Sequence, residues 1–366
     1  MHSPEVHQFL PVLAPRDAVG NITRFTHKAL KQAGYGGGIW AEEIHGPTAQ
    51  EASEYHRYKS LKSARKGRNL LLYRASTGSK HGMVEFLLAR REPKLIWHHN
   101  ITPAHFFTSY DSNAAEVARK GRDELARLSA EVSVALADSD FNANELHELG
   151  VETVHVVPPF IPPEVEPSRP HSEWIRRTKK GVDVLFVGRV VPQKGHFQLM
   201  KAMAAMKAGV DSGARLFVVG AWGPRGYMRS LFEARRRLRL ESVAFTGSCS
   251  AEVLASFFQE SDVFLSMSEH EGFGVPLVEA MRARLPVVAR DQGAVGETLG
   301  NAGIKLKSAD PLLAAEIVGR VAADEKFRSS LVDRQVERAE EIMRFPRAEA
   351  ILAAVTEGLH AGVSAA

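Results

Sequence analysis

Short apolar runs alternate with helical spacing along most of the chain. Leu70 to Tyr73, Leu95 to Trp97, Val132 to Leu136, Val154 to Val157, Val182 to Val187, Leu216 to Val219, Val263 to Ser266 and Pro286 to Ala289 read as strands buried on both faces. Between them, stretches such as Ile22 to Ala33 and His196 to Ala208 repeat apolar residues at helical intervals. This alternation predicts an α/β fold with parallel sheets built from βαβ units. No repeat of solenoid length interrupts it. A last helix is predicted over Ala348 to His360, after Phe345-Pro346.

One segment breaks the rhythm. Pro158, Pro159, Pro162, Pro163, Pro167 and Pro170 crowd together, the charged run Arg176 to Lys180 follows, and a fresh strand starts at Val182. Dense proline makes a stiff, exposed connector. Two Rossmann-like domains are therefore expected, residues 1–170 and 171–345, with a terminal helix at about 346–366. Two such halves facing each other would leave a deep cleft lined by the carboxyl ends of their strands, where ligands bind.

Composition narrows the class. The 366 residues are 44% hydrophobic and 25% charged, as in a soluble globular protein, and no apolar run is long enough to span a bilayer. Met1 to Pro15 has no basic leader and no small-residue cleavage site, so a signal peptide is not expected. A single cysteine, Cys249, fits a reducing compartment and a cytoplasmic location. Asn21-Ile22-Thr23 and Asn100-Ile101-Thr102 match the glycosylation pattern and, without a secretion signal, read as chance.

The net charge of +4 hides two basic clusters. One comprises Arg57, Lys59, Lys62, Arg65, Lys66 and Arg68; the other is Arg235, Arg236, Arg237 and Arg239. Each reads first as a solvated helix face. The first also suits anionic lipid heads, at roughly 1 kcal/mol per charge, so peripheral contact with the inner membrane is a further expectation. Neither cluster interleaves aromatics, and nucleic acid is not an expected partner.

The densest chemistry lies in Ser268-Glu269-His270-Glu271-Gly272-Phe273-Gly274-Val275-Pro276-Leu277-Val278-Glu279. A glycine-bracketed turn opens a helix between two carboxylates, Glu271 and Glu279. Free N–H groups and the helix dipole there favour an anion, and Pro276 suits the first helical position. Upstream, the strand ending at Gly188 is followed by Arg189 and Lys194. Arginine can clamp a phosphate with two parallel bonds and lysine can add a point charge. In the first half, Asp17-Ala18-Val19-Gly20-Asn21 precedes a helix, with Gly20 placed for backbone approach to a phosphate, and Trp97-His98-His99-Asn100 ends a strand. No Cys/His spacing matches a zinc motif. Asp138-Ser139-Asp140 leads into a helix and is not read as a metal site, and Gly36-Gly37-Gly38 is read as a turn.

Gly188-Arg189 … Lys194-Gly195 with Glu271-Gly272-Phe273-Gly274 … Glu279 resembles the retaining glycosyltransferases of family 4, the group 1 type that includes bacterial mannosyltransferases. Gly220-Ala221-Trp222-Gly223, Phe245-Thr246-Gly247 and Ser261 to Ser266 add to the likeness, which covers about residues 10–350. The customary Gly-Ile/Val-Asp ending is absent after Val156-Val157-Pro158, and one glycine, Gly20, stands where the family usually has two.

The resemblance implies a GT-B fold whose terminal helix returns to the first domain. It implies that Arg189 and Lys194 bind the donor diphosphate and stabilise the leaving nucleotide. Glu271 would contact donor-sugar hydroxyls, His99 would contact the donor sugar, and Glu279 would bind ribose. Gly20, Gly188, Gly272, Phe273, Gly274 and Val275 would line the donor site. It further implies retention of anomeric configuration without a metal ion. GDP-mannose is the leading nucleotide sugar, from the likeness of His98 to Pro103 to mannosyltransferase-like sequences. The acceptor would be a glycan or polyprenyl-linked saccharide in cell-surface polysaccharide or lipopolysaccharide synthesis. A nucleotide-sugar epimerase and an inactive glycan-binding relative are the alternatives.

Overall fold

The computed structural model describes residues 4–15, 17–59, 69–163, 165–166 and 180–364. These divide into two compact units. One comprises Met1–Thr108, Ser112–Phe160 and Phe345–Ala366, and the other Ser109–Asp111 and Ile161–Arg344.

The first unit is built on a parallel sheet of β1 (Glu5–Leu13), β2 (Ile39–Ile44), β3 (Ser53–Glu54), β4 (Asn69–Ala75), β5 (Lys94–His98), β6 (Val134–Ala137) and β7 (Thr153–Val156). The order is β3-β2-β1-β4-β5-β6-β7. All seven residues of β4 are buried, which explains its near-continuous apolar sequence. β1 is central, yet it is absent from the strands that the apolar runs predict. Pro11 interrupts it, yet β1 pairs with β4 only over Glu5–Phe9, so the missing N–H falls beyond that ladder. Gly37, at φ 119°, lies so close to β1 that a Cβ there would sit 2.0 Å from the Val6 carbonyl oxygen. The terminal helix Arg347–Ser364 packs in this unit, where Arg347 Nε donates to the carbonyls of Pro158 at 2.9 Å and Pro159 at 3.1 Å.

The second unit holds β8 (Asp183–Val187), β9 (Arg215–Val219), β10 (Val243–Gly247), β11 (Val263–Ser266), β12 (Val287–Arg290) and β13 (Ile304–Leu306). They form a parallel sheet in the order β10-β9-β8-β11-β12-β13. Two apolar layers cover its faces, one with Leu199, Met203, Leu231 and Val318, the other with Phe257, Leu277, Met281 and Leu299. The chain runs outward from β8 through β9 to β10, then returns to β11 on the other side of β8. Strand order therefore reverses between β8 and β11, and a ligand crevice forms beyond the carboxyl ends at such a reversal.

Candidate active site

The two loops at this reversal carry the residues picked out by spacing. After β8, Gly188 N–H donates to the Val219 carbonyl at 2.9 Å and Val190 N–H to the Ala221 carbonyl at 2.9 Å. Those bonds stitch the β8 loop to the β9 loop, so closely that a Cβ on Gly223 would come within 1.7 Å of the Val190 carbonyl oxygen. Arg189 lies between the two anchored residues. It is exposed, and its guanidinium has no partner among the described residues. The positive end of that fork is open to an anion.

Lys194 closes a 3-10 turn, Pro192–Lys194, followed by left-handed Gly195 at φ 67°. A Cβ on Gly195 would sit 2.0 Å from the Met267 carbonyl oxygen in the β11 loop. Beside it, Glu269 N–H donates to the Gln193 carbonyl at 2.7 Å. Backbone contacts thus bring the β8 and β11 loops together, and Lys194 Nζ donates to both Glu271 oxygens at 2.7 Å. Lysine has three N–H donors, so one remains for a phosphate oxygen.

The turn Glu271–Gly274 is fastened from behind. The Glu271 carbonyl accepts from Ala294 N–H at 2.9 Å, and the Phe273 carbonyl accepts from Thr298 Oγ1 at 2.6 Å. Gly274, at φ 91°, leads into the helix Val275–Arg282, whose opening has Pro276 in its first turn and no side-chain cap. Glu279 lies half-buried one turn further, and its carboxylate has no hydrogen-bond partner among the described residues. Burial pushes its carboxyl above the ordinary range, against the opposing pull of Arg282. A carboxylate kept unpartnered in this way is suited to accept from ligand hydroxyls.

The first unit places His99 differently from the sequence reading. Its side chain is 2% exposed. Nδ1 lies 2.9 Å from both Asp138 oxygens and Nε2 lies 3.2 Å from Arg74 Nη1. An arginine can only donate, so Nε2 accepts and Nδ1 carries the proton toward Asp138. Burial is the largest influence on this imidazole and lowers its pKa despite Asp138, keeping it neutral. Both ring nitrogens are therefore already engaged inside the unit.

Arg74 itself is fully buried. It donates from Nε to Gln8 Oε1 at 3.1 Å and from Nη2 to Thr26 Oγ1 at 2.8 Å, and it lies 4.5 Å over the Trp97 ring. Desolvation pushes its pKa down to about 9. Trp97 Nε1 donates to Asp138 Oδ1 at 2.8 Å and closes the network. Neither Arg74 nor Gln8 belongs to a motif picked out in the sequence, and Asp138 enters there only as part of Asp138-Ser139-Asp140. The available signal was a lone charge within the apolar strand Leu70–Ala75. Neighbouring His98 is held separately, with Nε2 2.7 Å from Glu145 Oε2.

Gly20 is buried in the helix Ala18–Gln32, and its N–H donates to Asp17 Oδ2 at 3.0 Å, so that amide is occupied by the helix's own cap. Ser139 caps the helix Asp140–Glu148 by accepting from Asn142 N–H. Among the described residues no group of three or more His, Cys, Asp or Glu is placed to hold a metal ion, and no helix is long and apolar enough to cross a membrane. In the first basic cluster Arg57 pairs with Glu54 at 3.1 Å, whereas Lys62, Arg65, Lys66 and Arg68 lie outside the described residues.

Residues 170–338 match the sequence family described as glycosyl transferases group 1. The match falls in the second unit, which is similar to group 1 glycosyltransferases. Over 228 residues the chain is 27% identical to the D-inositol 3-phosphate glycosyltransferase of Jonesia denitrificans, covering 58% of this chain and 53% of that protein. It is 32% identical over 153 residues to an uncharacterized glycosyltransferase of Methanocaldococcus jannaschii, covering 41% of this chain and 38% of that one. The chain spans about half the length of the curated relatives it matches.

Sucrose-phosphate synthase from Thermosynechococcus elongatus superimposes with a TM-score of 0.69 at 18% identity, over 99% of this chain and 100% of the other. WaaG, a glycosyltransferase involved in lipopolysaccharide biosynthesis, gives 0.67 at 14% identity over 95% and 98%. Identities this low speak to fold, and the fold is GT-B, with two parallel-sheet Rossmann-like units.

Proposed function

We propose that the chain moves a hexose from a nucleoside diphosphate sugar to an acceptor hydroxyl with retention of configuration and without a metal ion. The observation that carries this reading is the meeting of Lys194 and Glu271 at the strand-order reversal, with the unpaired Arg189 on the neighbouring loop. Arg189 grips the diphosphate by its fork, and the third Lys194 donor adds a charge-assisted bond. Both stabilise negative charge as the nucleotide leaves. Glu271 orients Lys194 and accepts from a sugar hydroxyl, the Gly272–Val275 backbone offers N–H groups, and Glu279 accepts from ribose. The departing phosphate takes the acceptor proton on the face where the bond broke, so no covalent intermediate is needed. Two cations at the diphosphate make a divalent ion dispensable.

His99 serves within the first unit as the neutral centre of the Arg74–Asp138 network. GDP-mannose remains the donor favoured by the His98–Pro103 segment. A UDP sugar is the competing donor, supported by HepE of Anabaena, which has been crystallised with UDP-glucose and superimposes with a TM-score of 0.65 at 18% identity. The acceptor would be a glycan or polyprenyl-linked saccharide of the cell surface, or a small phosphorylated polyol of the kind named for the inositol-phosphate relatives.

The test is a thermal-shift screen of nucleotide sugars followed by anomeric NMR of the product formed with a pooled acceptor extract. Transfer with α-to-α retention in the presence of a chelator supports the reading. Interconversion of the sugar without an acceptor would favour an epimerase. Binding without sugar release would favour an inactive relative.

A further inference from the structure

The helix Arg225–Arg237 and its exit through Arg239 hold six arginines and one carboxylate, Glu233, in fifteen residues. Arg235 is spent on the Leu240 carbonyl at 3.0 Å and the Glu241 carbonyl at 3.3 Å, and Arg237 pairs with Glu233. Arg225, Arg229, Arg236 and Arg239 are exposed, and their guanidinium groups have no hydrogen-bond or ion-pair partner among the described residues. Arg225, Arg229, Phe232 and Arg236 follow one another at intervals of four, three and four, which puts them along one side of the helix.

Apolar groups flank this stripe. Trp222 is 55% exposed, Phe232 40% and Leu238 42%. The Trp222 and Phe232 rings lie 5.8 Å apart, and Phe245 backs Phe232 at 5.6 Å. Sequence reading saw only the arginines from 235 onward and no aromatics among them; the fold brings Trp222 and Phe232 to the same face.

We propose that this face docks on an anionic lipid surface. Large exposed apolar side chains beside uncompensated guanidinium groups are poorly suited to bulk water but match a bilayer interface. There, rings and Leu238 enter the headgroup boundary while arginines reach lipid phosphates. Attraction to anionic headgroups adds with each charge. A nucleic acid would meet the same charges. However, Trp222 and Phe232 pack on one another rather than standing apart as platforms for successive bases, and Leu238 offers no stacking surface. The helix is about 20 Å long, enough to lie in the plane of an interface. It follows the β9 loop that is bonded to the Arg189 loop, so the docked face adjoins the edge of the second sheet that carries Arg189. The surface stands on its own residues and does not depend on the transferase reading.

The experiment is sedimentation of the full chain with phosphatidylcholine vesicles, with and without about 30% phosphatidylglycerol. The wild type should bind the anionic vesicles at least tenfold better than neutral ones, with binding that falls as salt rises. The variant R225Q/R229Q/R236Q/R239Q should lose at least tenfold, with an unchanged melting temperature. Trp222→Ser should weaken binding several-fold at every salt concentration. Absence of vesicle binding by the wild type would overturn the proposal. So would wild-type binding by the quadruple variant, which would assign the attraction to residues 57–68. Tight binding of a single-stranded RNA oligonucleotide that anionic vesicles fail to displace would overturn it in favour of a nucleic-acid surface.

Discussion

Lys194 Nζ lies 2.7 Å from each oxygen of Glu271, across the strand-order reversal of the second sheet. The pair joins the loops after β8 and β11, and backbone contacts on both sides fix it. Lys194→Ala should lower kcat/KM by two or more orders of magnitude with the fold intact, about 3 kcal/mol of transition-state stabilisation. Glu271→Gln should lower turnover while leaving affinity for the free nucleoside diphosphate nearly unchanged. Steady-state kinetics beside calorimetry separates the two effects, and near-normal turnover of Lys194→Ala would remove the assignment.

Gly195 tests how that geometry is held. Its φ of 67° and the 2.0 Å approach of a Cβ to the Met267 carbonyl leave no room for a side chain. Gly195→Ala should destabilise the protein by about 1–3 kcal/mol and displace Lys194, losing turnover beyond the stability loss. Gly34, at φ 84° with nothing within 4 Å of an added Cβ, is the control. Gly34→Ala should cost about 1 kcal/mol and leave turnover unaltered. Denaturant titrations with activity assays on both variants make the comparison.

The Glu279 carboxylate has no hydrogen-bond partner among the described residues. Glu279→Ala should therefore weaken nucleoside diphosphate binding by at least tenfold, about 1.4 kcal/mol, with little change in melting temperature. Equal calorimetric affinity for the 2′-deoxy and ribo nucleotides in the wild type would refute a ribose contact.

In the first unit, Arg74 is a charge buried in a central strand and bonded to Gln8, Thr26 and His99. Arg74→Ala leaves Gln8 Oε1, Thr26 Oγ1 and His99 Nε2 facing a cavity without their donor and should cost about 3–5 kcal/mol. Asp138→Asn keeps the volume but frees the His99 tautomer. It should cost less stability than Arg74→Ala and should shift the pH profile of turnover. A profile superimposable on the wild type would make the network structural only.

His196 makes acid sensitivity measurable. It is fully buried, its Nδ1 lies 3.3 Å from the Tyr227 hydroxyl, and desolvation, with Lys194 adding, pushes its pKa down to about 3. The folded pKa lies below the unfolded value near 6.5, so the unfolded chain binds the extra proton. Its contribution is complete above pH 6.5 and is lost as pH falls from there toward 3. At pH 5 the loss is about 2 kcal/mol. Urea titrations should show a smaller fall in stability between pH 7.5 and 5 for His196→Gln than for the wild type.

Much of the second unit was legible in the sequence. β11, Val263–Ser266, ends where its apolar run ends, and Arg189, Lys194 and Glu271 sit at turns marked by glycine. The first unit was less so, because its chemistry is carried by buried polar residues. Gln8 inside β1 and Arg74 inside β4 break the apolar pattern, and each is tolerated because it bonds the other across the ladder. β13, Ile304–Leu306, has three residues and no run to show. The family resemblance implies that His99 faces a ligand, whereas Arg74 and Asp138, distant in sequence, occupy both of its ring nitrogens. Such partners follow from strand order, which spacing along one chain does not encode.

Calorimetric titration of GDP-mannose and UDP-glucose in a chelating buffer, into the wild type and the Arg189→Ala/Lys194→Ala variant, tests the central claim most directly. At least one donor should bind the wild type saturably, and the variant should lose at least a hundredfold in affinity, about 3 kcal/mol, at unchanged melting temperature. Failure of both donors to bind, or equal binding by the variant, would contradict it.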